Sequence, residues 1–204
     1  MPPIKQIQGK AVPIKGRDID TDRIVPARFL KTITFEKLGD ALFYDERFDE
    51  AGNPKDHPLN DRRFAGASLM LVEAGFGSGS SREHAPQAIK RAGFKALIGE
   101  SFAEIFFNNA TQIGLVAVTV APEDLGYLFA LVEQNPETEL VLDLEKMELL
   151  AGDRAIPVFL PEAVREAFLT GRYDPLDLLL EAMDEIRALD ERRAGPGKKG
   201  IYGG

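Results

Sequence analysis

Cysteine is absent from all 204 residues. No disulfide, thiol nucleophile or thiolate-held metal can therefore come from this chain. Histidine is scarce too, with only His57 and His84, which excludes a histidine-rich metal site. No run approaches the roughly 18 apolar residues of a membrane helix. The opening Met1-Pro2-Pro3-Ile4-Lys5 lacks the apolar core of a signal peptide. Basic residues are in deficit, 25 against 33 acidic, for a net charge of −8. That balance argues against nucleic acid as a partner and still permits a local positive site for a small anion. A cytoplasmic chain with no membrane contact is the simplest expectation.

The remaining composition is that of an ordinary globular protein, 44% apolar and 8% aromatic, long enough to bury one good core. The most informative stretch is Gly75 to Gly93, GFGSGSSREHAPQAIKRAG. The apolar run Ala67 to Val72 just before it has no breakers and predicts a buried strand. Glycines at 75, 77 and 79 then allow positive φ and close approach by another group. Pro86 lacks the N–H that a helix interior needs, so it belongs in a first turn, and the helix is expected to begin near Glu83 to Ala85. Gly93 is its stop.

Ser80, Ser81 and Arg82 therefore lie just before the positive end of a helix, a place that suits a carboxylate or phosphate. Ser81 fits a helix cap equally well. The string is neither a P-loop nor a dinucleotide fingerprint, because it lacks Gly-Lys-Ser/Thr and its glycines do not fit G-x-G-x-x-G. A serine hydrolase is disfavoured, since His84 sits only four residues from Ser80 and no acid is evident to complete a relay.

Gly79-Ser80-Ser81-Arg82-Glu83-His84-Ala85 resembles the serine loop of the aconitase superfamily's swivelling domain. Asp20-Thr21-Asp22-Arg23-Ile24-Val25-Pro26 and Ser101-Phe102-Ala103-Glu104-Ile105-Phe106-Phe107-Asn108-Asn109 extend the match. The chain up to about residue 190 is similar to the small-subunit family of bacterial 3-isopropylmalate dehydratases. The fold so implied is α/β: a single layered β/β/α swivelling domain over 1–194 with a helical C-terminal extension, followed by a disordered tail at 195–204.

The resemblance also implies a reaction, the isomerisation of 2-isopropylmalate to 3-isopropylmalate by dehydration and rehydration in leucine biosynthesis. In that family the serine matching Ser80 is the base that removes a carbon-bound proton. The arginine matching Arg82 binds a substrate carboxylate, and the acid matching Asp22 lines the site with Thr21 as support. Ser81 joins them as a substrate contact. A [4Fe–4S] cluster is implied on a large subunit, in a heterodimer or heterotetramer, with the active site formed between the two chains. The substrate is then a small hydroxy-dicarboxylate.

Aconitase carries an arginine about a dozen residues after its matching acid, where this sequence reads Phe29-Leu30-Lys31-Thr32-Ile33-Thr34. Phe29 and Leu30 suit an isopropyl group there. Lys31 suits a solvated surface or, in a homoaconitase-like alternative, a third carboxylate. A stand-alone anion-binding module is a further alternative. Many relatives have cysteine where Ser78 stands.

Taken in order, Ile4 to Ile14 suggests two short strands around Gly9. Gly16 to Asp22 reads as a polar turn in which Asp and Thr side chains bond nearby backbone N–H groups. Pro26 to Leu30 predicts a turn or short helix, and Phe35 to Phe43 a longer helix. Asp45 to Arg63 reads as a polar surface excursion with His57 in solvent. Lys95 to Ile98 and Leu115 to Val120 predict strands. Ser101 and Glu104 form a capping box for a helix carrying Phe102, Ile105, Phe106 and Phe107. Asn108 and Asn109 fit either a structural or a pocket-facing role. Pro122 to Glu133 predicts a helix. Leu140 to Leu144 with Met147 to Leu150 predicts a hairpin, and Arg154 to Val158 one more strand. Pro161 to Thr170 predicts a helix stopped by Gly171. A last helix is expected after Asp174-Pro175, with a stripe of Leu176, Leu179, Leu180, Met183, Ile186 and Leu189.

Overall fold

The computed structural model describes residues 1–31, 35–79 and 83–173. The expected C-terminal helix and the tail at 195–204 lie outside the described residues. So do Thr32, Ile33 and Thr34.

Seven strands are arranged in the order β4-β3-β2-β1-β5-β6-β7. They are β1 Gln6–Ile14, β2 Leu69–Val72, β3 Ala96–Gly99, β4 Val116–Thr119, β5 Glu139–Asp143, β6 Glu148–Ala151 and β7 Arg154–Pro157. Strand β1 belongs to two ladders. Its first half, Gln6 to Lys10, pairs antiparallel with β5. Its second half, Ala11 to Ile14, pairs parallel with β2. The two strands expected around Gly9 are thus one strand that changes partner. At the crossing Gly9 lies against Ser68, where an added Cβ would come within 2.0 Å of the Ser68 hydroxyl. The parallel ladder continues through β3 and β4. The antiparallel ladder continues as hairpins through β6 and β7. This is the expected mixed α/β architecture, with a sheet shared by two layers.

The helices are α1 Thr21–Ile24, α2 Tyr44–Arg47, α3 His84–Arg91, α4 Glu104–Gln112, α5 Pro122–Gln134 and α6 Glu162–Thr170. Helix α5 starts on Pro122, and its Leu125, Leu128, Phe129 and Val132 face inward at helical spacing. Helix α3 starts where Pro86 requires, and it buries Ala85, Ala88 and Ile89. Phe35–Ala41 is a 3-10 helix, not the expected α-helix. It packs against α3. Among the described residues, no helix is long and apolar enough to cross a membrane.

Two further expectations fail. Ser101 does not cap α4, whose N-terminal flank is Ala103 with no side-chain cap. Its hydroxyl accepts a bond from the Gly75 N–H at 2.9 Å instead. Phe102 precedes the helix, paired with Phe76 across a short bridge. His57 is not solvated but 8% exposed. Its Nδ1 accepts from the Leu59 N–H at 3.1 Å, capping a 3-10 turn, and its ring lies 5.6 Å from that of Phe43. Burial pushes the imidazole pKa below its ordinary value, with Glu46 opposing. The polar excursion folds over its own hydrogen bonds: the Asn60 amide donates to the carbonyls of Arg47 and Lys55 at 2.7 and 3.0 Å.

Candidate active site

In an open sheet, ligands bind beyond the carboxyl ends of the parallel strands. Three loops meet there. They leave β1, β2 and β3, and each is tied to its neighbour.

The loop after β2, Gly75 to Gly79, continues the sheet as single bridges. Asp18 N–H donates to the Ala74 carbonyl at 2.8 Å, Gly77 N–H to Ile19 at 2.7 Å, and Thr21 N–H to Ser78 at 2.9 Å. The Ser78 hydroxyl donates to the Asp18 carbonyl at 3.3 Å. On the other flank Phe76 N–H donates to the Ser101 carbonyl at 3.2 Å, and Ala103 N–H to Phe76 at 2.9 Å. The loop is therefore bonded on one side at Gly77 and Ser78 and on the other at Phe76.

Side chains reinforce this frame. The Glu73 carboxylate accepts from the Gly16 N–H at 2.5 Å, and Arg17 pairs with Glu100 at 3.1 Å. Underneath, the rings of Phe76 and Phe106 meet edge-on at 5.3 Å. Gly77, at φ 82°, lies against Phe106, where a Cβ would come within 2.2 Å of the ring. A glycine is required there twice over, by backbone sign and by space.

The Asp20-Thr21-Asp22 turn lies beside this loop. The Asp20 carboxylate accepts from the Arg23 N–H at 2.8 Å, capping α1. This spends Asp20 on the turn, as the sequence suggested. Thr21 is 2% exposed. A Cβ on Gly79 would sit 3.5 Å from the Thr21 hydroxyl, so the loop passes the turn at van der Waals contact. Asp22 is exposed at the start of α1. Ser80, Ser81 and Arg82 lie outside the described residues, between Gly79 and Glu83. The structure thus brings Thr21 against Ser78 and Gly79, and α3 begins at His84.

The segment after α1 is a 3-10 turn, Ala27–Leu30. Phe29 and Leu30 are partly buried against the core, and Lys31 is exposed. The Phe29 ring lies 4.8 Å from Tyr44 and under the Arg28 guanidinium at 4.6 Å. Arg28 bonds both carboxylate oxygens of Asp45. That pairing holds the Asp45 carboxyl below the usual carboxylate range and raises the guanidinium of Arg28. This cluster joins the Ala27–Leu30 turn to α2.

The model of the aconitase C-terminal domain matches residues 1–123. The chain belongs to that family. The small subunit of 3-isopropylmalate dehydratase from Thermus thermophilus is 64% identical over 190 residues, covering 93% of this chain and 94% of that protein. The same subunit from Synechocystis is 43% identical over 192 residues, covering 94% of each. Among solved structures, 3-isopropylmalate dehydratase from Methanocaldococcus jannaschii superimposes with a TM-score of 0.66 at 26% identity, covering 91% of this chain and 99% of that one. The similarity to these relatives runs beyond residue 123, through the hairpins and α6.

Local spacing does not reveal Ser101, Glu73 and Phe106 as supports of this loop. Ser101 is hidden behind a better-known local pattern, the capping box. Glu73 accepts from the distant Gly16 N–H, and Phe106 packs its ring against Phe76. An iron–sulfur cluster does not fit this chain's own residues: cysteine is absent, and among the described residues no group of three His, Asp or Glu side chains is placed to hold a metal.

Proposed function

We propose that this chain is the small subunit of a 3-isopropylmalate dehydratase, a hydro-lyase that interconverts 2-isopropylmalate and 3-isopropylmalate in leucine biosynthesis in the cytoplasm. It acts with a large subunit that carries the [4Fe–4S] cluster. The observation that carries this reading is the seating of the Asp20-Thr21-Asp22 turn against Gly79, the residue before Ser80. Two motifs distant in sequence converge on one strand-end loop.

In this reading Ser80 takes the proton from one carbon of the substrate and the hydroxyl leaves the adjacent carbon, giving an unsaturated diacid and water. Return of water in the opposite sense places the hydroxyl on the other carbon. A serine hydroxyl is a poor base unless its alkoxide is stabilised. The Arg82 guanidinium and the positive end of the α3 dipole supply that stabilisation. Arg82 also grips a carboxylate in its planar fork. Asp22, Thr21 and Ser81 line the same approach. Phe29 and Leu30 meet the isopropyl group. Two features support that choice of substituent: Lys31 is exposed, and Arg28 spends its guanidinium on Asp45. A buried carboxylate left without a cation would be costly.

The test is reconstitution of the purified chain with a cluster-loaded large subunit. Conversion of 2-isopropylmalate is expected only in the mixture. Ser80→Ala should lower kcat by at least about 10²–10⁴-fold, the range of a positioned base, with no change in the thermal midpoint. Turnover by this chain alone, or near-normal kcat in Ser80→Ala, would overturn the assignment.

A further inference from the structure

An open apolar groove of about 570 Å³ lies beside the candidate site. Phe102, Phe107, Met147, Val158, Phe159 and Leu160 line it, and Glu104 is the one charged side chain among its walls. Phe159 is 62% exposed, the most exposed large apolar side chain among the described residues. Its backbone is not loose: Phe159 N–H donates to the Thr119 carbonyl at 2.8 Å and Thr119 N–H returns a bond at 3.1 Å. The fold holds an aromatic ring in water on a fixed backbone, at the carboxyl end of β4. Exposed apolar clusters of this kind mark interaction surfaces.

The groove and the site share a wall. Ser101 lines the groove, and its hydroxyl holds the Gly75 N–H. Phe102 lines it too, and bridges Phe76 in the site loop. The site lies at the carboxyl ends of β1, β2 and β3 and the groove at those of β3 and β4, so the two adjoin at the exit of β3.

We propose that this groove, centred on Phe159, is the surface on which the large subunit seats; this rests on the reading of the chain as a small subunit. That chain has no cysteine, so its site is completed only by a partner arriving at the same rim. A body that closes over Gly75 to Gly79 on the side of Ser101 and Phe102 must lie across the groove. The chain's own C-terminal stretch is the less favoured occupant. The described residues end at Tyr173, whose hydroxyl donates to the Pro2 carbonyl at 3.1 Å and whose ring packs over Gly114. Gly114 precedes the amino end of β4, and the groove lies at the carboxyl end.

The experiment is calorimetric titration of full-length chain with the cluster-loaded large subunit, with turnover of 2-isopropylmalate measured in parallel. Phe159→Asp should raise Kd by at least about tenfold, as loss of a buried aromatic anchor does. Phe159→Leu, which keeps an apolar side chain, should stay within about threefold of wild type. Leu150→Asp, at a residue 39% exposed on β6, should leave Kd unchanged. The thermal midpoint of the free chain should be the same in all four proteins.

An unchanged Kd in Phe159→Asp, with wild type binding and turning over normally, overturns the docking surface and leaves the functional reading intact. Failure of wild type to bind any large subunit overturns both. A fall in the free chain's midpoint on Phe159→Asp shows the chain's own terminal stretch in the groove and overturns the proposal. So does a wild-type dimer that Phe159→Asp dissociates.

Discussion

Strands β2 and β3 bury all four of their residues, whereas β5 and β6 alternate buried and partly exposed positions. The difference follows from pairing. Parallel strands need crossovers that cover the sheet, so their side chains are enclosed. Hairpins return at once and leave one face toward water. The consequence for function lies at the ends. In the parallel half three loops emerge at one rim and can be stitched together, as Ser101 to Gly75 and Thr21 to Ser78 show. In the antiparallel half the β6–β7 turn at Gly152 closes on its own strands. One half of the sheet holds a site loop and the other supports it.

A glycine pair breaks this comparison most sharply. Gly77 and Gly152 both have positive φ, 82° and 62°. A Cβ at Gly77 would collide with Phe106 at 2.2 Å, whereas at Gly152 the nearest atom is the Tyr127 hydroxyl at 3.4 Å. Gly77→Ala should therefore cost about 2–5 kcal/mol, combining left-handed strain with overpacking. Gly152→Ala should cost only about 1–2 kcal/mol of strain. Thermal unfolding of the two variants measures this. In the reconstituted enzyme Gly77→Ala should also lose turnover, and Gly152→Ala should retain it. Equal midpoints would show that the site loop is no more tightly held than an ordinary hairpin turn.

A smaller effect concerns the excursion that packs beside the end of β1. Burial lowers the His57 pKa in the folded chain. Above about pH 6.5, the ordinary value, folded and unfolded forms are both neutral and pH has no leverage. As pH falls below that, the unfolded chain binds a proton that the buried ring resists, so stability is lost until the folded value is reached. His57→Asn keeps an acceptor for the Leu59 N–H and removes the titration. The drop in thermal midpoint between pH 7 and pH 5 should be shallower in the variant. An identical pH profile would mean that His57 does not contribute to acid sensitivity.

The smallest expected effect is at Lys31. If Phe29 and Leu30 read an apolar substituent, Lys31→Ala should change kcat/KM for isopropylmalate by less than about twofold, in keeping with an exposed charge far from tight contacts. A preference for homocitrate that collapses in this variant would instead make Lys31 the cation for a third carboxylate.

Local chemistry made much of this molecule legible before any coordinates. Pro86 and Pro122 set helix starts because a proline lacks the N–H that an interior position must donate. Gly171 ends α6 as read, and the runs Leu140 to Leu144 and Met147 to Leu150 marked the β5–β6 hairpin. The absence of cysteine settled, with no structure, that a thiolate-held cluster cannot belong to this chain. The short motif strings pointed to the family.

What only the tertiary structure decided involves partners distant in the chain. Ser101 shows the pattern of a capping box, yet its hydroxyl serves Gly75, because the β3 exit passes closer to the site loop than its own helix end requires. His57 sits in a run of polar residues, yet Phe43 and the 3-10 turn enclose it. Thr21 and Gly79 meet because β1 and β2 are parallel neighbours, so their carboxyl ends leave the sheet side by side. Spacing along a sequence encodes periodicity and caps, which act within a turn or two. It does not encode which strand ends come to lie together, and that adjacency builds the rim on which this site is assembled.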